Sequence, residues 1–112
     1  MIDLENKRFR GVSNSSDGEV SPATIFNYHQ DNQIISGTYS GGSITYGTLA
    51  GVLLNDSSFH FNYCHVNEDR ELLSGYCHST VEVLESGKYR IQEIWKWSGG
   101  KEGSGESIIE EI

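Results

Sequence analysis

The feature that most constrains this chain is a two-residue alternation of side-chain character, broken at short intervals by turn residues. Phe59-His60-Phe61-Asn62-Tyr63-Cys64-His65 and Tyr89-Arg90-Ile91-Gln92-Glu93-Ile94-Trp95-Lys96-Trp97 are the clearest cases. Successive side chains of a strand point to opposite faces, so such runs read as half-buried strands and not as amphipathic helices. Turn pairs recur throughout: Asp17-Gly18, Asp31-Asn32, Gly41-Gly42, Asn55-Asp56, Glu68-Asp69, Ser86-Gly87 and Gly99-Gly100. Short strands punctuated this often predict an all-β fold, a single antiparallel up-and-down barrel of about eight strands. One domain over residues 1–112 is expected, with no repeat, linker or second domain. Residues 13–19 read as a polar loop, and a brief helical turn is allowed after Ser21-Pro22.

Turn geometry turns this into a register. A two-residue turn at Asp31-Asn32 predicts Tyr28 opposite Ile35, Phe26 opposite Gly37 and Thr24 opposite Tyr39. A turn at Gly41-Gly42 predicts Tyr39 opposite Ile44 and Gly37 opposite Tyr46. A turn at Asn55-Asp56 then sets Val52 against Phe59, Ala50 against Phe61, Thr48 against Tyr63 and Tyr46 against His65. The three turns hand one face on from strand to strand, and this agreement is the best evidence for the fold, because a one-residue slip would reverse the face. After Val66 two registers, one residue apart, are open. The one that keeps Leu73, Gly75, Cys77, Ser79, Val81 and Val83 inward allows a three-residue loop, Glu85-Ser86-Gly87, with a left-handed Gly. It pairs Val83 with Tyr89, Ser79 with Glu93 and Cys77 with Trp95, and it gathers Tyr89, Ile91, Trp95 and Trp97 inside along with Glu93. Closure would pair the first strand with the last, with Arg8 and Arg10 outward against acids such as Glu106 and Glu110, and Phe9 and Ile109 inward.

Composition narrows the partners. The chain has 112 residues, 36% hydrophobic and 11% aromatic, enough for a core without cross-links. Its formal charge of -8 with no basic stripe argues against nucleic acid and against anionic membrane surfaces. The first residues carry no apolar run of signal-peptide length, and no segment is apolar for long enough to be a membrane helix. A cytoplasmic location is expected, with Cys64 and Cys77 as thiols, a state their offset in the register also requires.

The interior predicted in this way holds Phe26, Tyr28, Tyr39, Tyr46, Phe59, Phe61, Tyr63, His65, Glu93, Trp95 and Trp97. A barrel of this size is filled by side chains or holds one small ligand. The small inward residues Gly37, Ala50, Gly75, Cys77 and Ser79 favour unfilled volume. The candidate ligand-binding set is Tyr28, Tyr39, Tyr46, Tyr63 and Trp95 as walls, with His65 and Glu93 as polar anchors. Glu93 is the most informative, because a carboxylate in an apolar interior needs a partner or a proton. His65 lies several residues along the strands from Glu93, so a direct dyad is not expected. No residues have convincing metal spacing, no cofactor is implied, and Ser40-Gly41-Gly42-Ser43 is a hairpin turn and not a phosphate loop, since no helix follows it. The leading reading is a non-enzymatic barrel for a small apolar or aromatic ligand, with homo-oligomerisation left open. Its alternatives are a small barrel enzyme, a lyase or isomerase of a small organic acid using interior Glu, Tyr and His, and a solid-core interaction module.

Tyr39-Ser40-Gly41-Gly42, Phe61-x-Tyr63-x-His65-Val66-Asn67, Cys77-His78-Ser79, Trp95-x-Trp97 and Gly105-Glu106-Ser107 together resemble a group of short bacterial proteins that bear the name N-acetylglutamate synthase. The architecture resembles the calycin-type barrels, the class of lipocalins, fatty-acid-binding proteins and streptavidin, which implies a ligand-holding interior. The synthase name implies acetyl transfer from acetyl-CoA, for which the usual fold cradles the pyrophosphate at an Arg/Gln-x-x-Gly-x-Gly/Ala turn before a helix. The nearest match, Arg8-Phe9-Arg10-Gly11-Val12-Ser13, breaks at its last position and falls in a predicted strand. That activity is not expected of this chain.

Overall fold

In the computed structural model, which describes residues 2–112, the alternating runs form eight antiparallel strands and no helix. These are β1 (Lys7–Asn14), β2 (Ile25–Asp31), β3 (Ile34–Gly41), β4 (Ile44–Leu53), β5 (Ser58–Asn67), β6 (Leu72–Val83), β7 (Tyr89–Gly99) and β8 (Ser104–Glu111). Each strand pairs with the next, and β8 returns to β1, so the sheet closes into a barrel with no free edge. Residues 8–13 lie within β1, and the stretch after Ser21-Pro22 is a single turn closed by Thr24 N–H on the Ser21 carbonyl.

The pairing of the later strands follows the predicted register. Val83 lies opposite Tyr89, Ser79 opposite Glu93 and Cys77 opposite Trp95, and Gly87 in the intervening loop has φ +88°. Leu73, Gly75, Cys77, Ser79 and Val81 are buried, but Val83 is exposed at the strand end. Phe9 and Ile109 point into the barrel, and Arg10 faces Glu110 across β1 and β8. Glu106 faces Ile94 instead of an arginine, and Arg8 lies beside Ile112, whose N–H it accepts. Cys64 and Cys77 are unbridged, the first exposed and the second buried.

Three predicted pairings are displaced. The β2–β3 turn is centred on Asn32-Gln33, so Phe26 faces Tyr39 and Tyr28 faces Gly37, two residues from the expected register but on the same face. Asn32 takes the left-handed conformation this tight turn asks for, φ 55°. A β-bulge near Thr45 and Tyr46 inserts an extra residue into β4, and both neighbouring strands register it. The bulge reverses the face of the rest of the strand, so Gly47 and Leu49 are buried while Tyr46, Thr48, Ala50 and Val52 turn out to solvent. The β4–β5 pairing is off by one residue in compensation, with Leu53 opposite Phe59 and Gly51 opposite Phe61. The β5 aromatics therefore still face inward.

The two ends of the barrel differ. At one end residues 2–6 turn in, burying Ile2 and Leu4 beneath Phe9, Tyr28, Ile35, Phe59, Ile91 and Ile109. The Leu4 N–H is held there by Gln30 Oε1 at 2.9 Å. This half is packed solid, with Phe9 edge-on to Tyr28 and Tyr28 edge-on to Phe59. The other end carries the long β1–β2 connection, residues 15–24, which borders an aromatic-lined cavity.

Candidate functional site

Strand alternation delivers the site side chains to one level of the barrel: Phe26 from β2, Tyr39 from β3, Phe61, Tyr63 and His65 from β5, Cys77 from β6, Glu93, Trp95 and Trp97 from β7, and Ser107 from β8. They border a partly open cavity of about 40 Å³, taken as the space open to the centre of a water molecule, and Gly18, Glu19 and Val20 complete its lining. That volume admits a few water-sized groups. Inward glycines make way for the large rings, since a Cβ on Gly47 would enter the Tyr39 ring and one on Gly75 would meet the Tyr63 hydroxyl. The aromatic contacts run continuously around the cavity, from Phe26 on Tyr39 (centroids 5.0 Å) through His65 (5.5 Å) and Trp97 (5.7 Å) to Tyr63 (5.6 Å).

The end of β1 and the β1–β2 loop cover the cavity by answering the donors that line its rim. Trp95 Nε1–H donates to Asn14 Oδ1 and Trp97 Nε1–H to the Asp17 carbonyl, each at 3.0 Å. His65 Nε2 lies 2.8 Å from Glu19 Oε1, and Asn67 Nδ2 donates to the same carboxylate at 3.1 Å. Because a carboxylate only accepts, His65 carries its proton on Nε2, and in the neutral ring Nδ1 accepts from the Tyr39 hydroxyl at 2.9 Å. A second β-bulge, at Val12 and Ser13 of β1, places Asn14 opposite the inward Ser107 and so aims its amide at Trp95.

Glu93 is the chemical centre. Its carboxyl is buried, accepts from Ser107 Oγ–H at 2.9 Å, and shares the cavity wall with no lysine or arginine. Burial pushes its pKa up to about 7, against the lowering effect of hydrogen bonds from Ser107 and Cys77. The Cys77 thiol is itself pushed well up, first by burial and then by Glu93. Burial likewise raises Tyr39 and Tyr63, so both phenols stay protonated near neutrality. Tyr28 lies deeper, and its buried hydroxyl has no hydrogen-bond partner.

The Glu93 pKa has a consequence for stability. The native state binds the Glu93 proton more tightly than the unfolded chain, where the carboxyl is near its ordinary 4.5. The resulting stabilisation is complete below that value and is lost as pH rises through about 7, a loss of roughly 3 kcal/mol. Relative to the natural chain, Glu93→Gln should therefore gain roughly ten degrees in Tm between about pH 5 and about pH 8. A pH-independent difference between the two melting curves would place the carboxyl in solvent.

Of the residues predicted for the site, Tyr39, Tyr63, His65, Glu93 and Trp95 line the cavity together. Tyr28 belongs to the solid half and does not border it. Tyr46 is a correction, since the β4 bulge turns it to the outer surface, 57% exposed. Glu19 and Asn14 were not anticipated. Strand periodicity says nothing about which way a polar loop folds, and the one available signal was the number of rim donors, on Trp95, Trp97, His65 and Asn67, that lacked a strand-borne acceptor.

A family model described as avidin-like protein matches residues 2–112. No curated protein and no solved structure matches the chain.

Proposed function

The chain belongs to the avidin-like protein family, and from that premise we propose that its barrel is a binding module for a small, partly apolar ligand. The observation that carries this reading is the contrast between the two halves of one interior. The half beneath Ile2 and Leu4 is filled, whereas the half beneath the β1–β2 loop keeps an aromatic-walled cavity with a buried carboxyl and an imidazole at its edge. Aromatic walls with a few convergent polar groups are the usual make-up of a small-molecule site, and a core needs neither the void nor the acid. Tyr39, Tyr63 and Trp95 would form walls, and Glu93 and His65 would be the anchors. Anything larger than a few heavy atoms would have to displace residues 15–20, which then free the Trp97 indole and His65 imidazole donors they now satisfy.

A thermal-shift screen of small alcohols, acids, amines and aromatic compounds tests the reading. A ligand at a hundred times its dissociation constant stabilises the fold by about 2.7 kcal/mol, roughly ten degrees in a domain of this size. Saturable stabilisation that is weakened by Glu93→Gln is the expected result. A complete screen with no saturable shift would mean that the void is only a packing defect.

A further inference from the structure

We infer that the cavity under the β1–β2 loop is built for a small organic cation, an alkyl-substituted ammonium, held among the rings of Tyr39, Tyr63, Trp95 and Trp97 against the carboxyl of Glu93. The inference rests on the proposed binding role and names the ligand class for that same cavity. Three observations favour a cation over a neutral or anionic occupant.

The first is the charge inventory. Two carboxyl groups, Glu93 and Glu19, line the cavity, and neither lysine nor arginine does. The donors that an anion would need are already engaged, since His65 and Asn67 hold Glu19, the Trp97 indole N–H holds the Asp17 carbonyl of the loop, and the Trp95 indole N–H holds Asn14 at the end of β1. Glu93 is the group with unused capacity, because Ser107 and Cys77 take two of the roughly four lone-pair sites a carboxylate offers. The second is the wall. Aromatic faces are negative and attract cations, most strongly when desolvated, and a ring of them beside an acid is the arrangement that recognises alkylammonium groups. Trp97 already has such a contact outside the cavity, with Lys101 Nζ 5.7 Å from the ring centroid. The third is size, as about 40 Å³ takes a few heavy atoms and no more. The net charge of -8 would draw cations towards the barrel from a distance.

Ionisation of Glu93 couples to this binding. The titratable groups that bear on it are Cys77 from β6, Tyr28 from β2, Tyr39 from β3 and Tyr63 from β5, all held neutral near pH 7 by burial. His65 of β5 and Glu19 of the loop are paired with each other at the cavity edge. A neutral occupant leaves Glu93 to keep its proton, whereas an ammonium ion lets it ionise and compensates the charge. Cation affinity should therefore fall as pH is lowered through about 7.

The test uses the intact protein and the emission of its two tryptophans, both of which line the cavity. Trimethylammonium, 2-propanol and acetate have equal numbers of heavy atoms and differ in charge, and sodium chloride holds ionic strength constant. Trimethylammonium is expected to give a saturable change at millimolar concentration, with 2-propanol about tenfold weaker or worse and acetate silent. Glu93→Gln, with its fold verified by a cooperative melt, should weaken the cation about tenfold or more while sparing 2-propanol. Should the variant fail to fold, the pH profile of the natural chain and its preference for cation over alcohol decide the matter. Equal affinity for 2-propanol, preference for acetate, or a pH-independent cation affinity would overturn the cation assignment and leave a binding barrel standing. Silence from all three solutes, together with an empty thermal-shift screen, would overturn both.

Discussion

A chain ending at Gly103 is expected to lose its cooperative thermal transition altogether. Strand β8 is hydrogen-bonded to β7 on one side and to β1 on the other, and it is the seam that closes the barrel. Its removal creates two unpaired edges at once and opens the interior to water. It also takes away Ile109, which is fully buried beside Ile91, and Ser107, the hydroxyl partner of Glu93. Loss of the pairing on both flanks and of part of the core exceeds the 5–15 kcal/mol or so that stabilises an ordinary domain. Thermal melts followed by circular dichroism provide the check. A truncated chain that kept the natural melting transition would show that β1 and β8 do not hold the barrel shut.

Phe59→Ala is expected to cost about 3–5 kcal/mol, a fall in Tm of more than ten degrees. Phe59 is fully buried in the solid half, edge-on to Tyr28 at 6.0 Å and stacked on Phe61 at 5.9 Å. The closed barrel limits how far neighbouring strands can collapse into the vacated space, so both the lost transfer energy and the cavity should be felt. Phe61→Ala borders space that already exists, and it should alter ligand affinity more than its neighbour does. Urea melts of the two variants give the comparison. A cost below about 1 kcal/mol at Phe59 would mean that this half is loosely packed as well.

How much of this was legible in the sequence depends on where the chain counts residues simply. From β5 to β7 the period of two runs unbroken through the buried positions, and Gly87 marks its turn, so the pairings of Ser79 with Glu93 and Cys77 with Trp95 follow from turn chemistry. The β4 strand shows the opposite case. A bulge has no compositional signature, and the inserted residue there sent Tyr46 outward. The error did not spread, because the next turn was misplaced by one residue in the opposite sense and the parity was restored at Phe59. A correct face can thus conceal two wrong registers.

The site divided along the same line. Strand-borne Tyr39, Tyr63, His65, Glu93 and Trp95 line the cavity on the face that alternation and the turn registers predict. Members that depend on loops or bulges were missed. Glu19 reaches His65 and Asn67 only because residues 15–20 fold over the barrel mouth, and Asn14 faces Trp95 only because of the bulge two residues before it. Ile2 and Leu4 plug the far end for reasons of tertiary packing that a short apolar pair does not advertise.

The binding reading and the cation inference both pass through Glu93, and its titration tests the account most directly. Carbon-detected magnetic resonance of protein labelled at glutamate side chains would follow the Glu93 carboxyl through its proton loss, with Glu93→Gln identifying the signal. A midpoint near pH 7 is predicted, about two and a half units above an ordinary glutamate, as burial in an aromatic cavity requires. A midpoint in the ordinary range, close to 4.5, would put Glu93 in water and leave the barrel without its buried acid and without a polar anchor for a ligand.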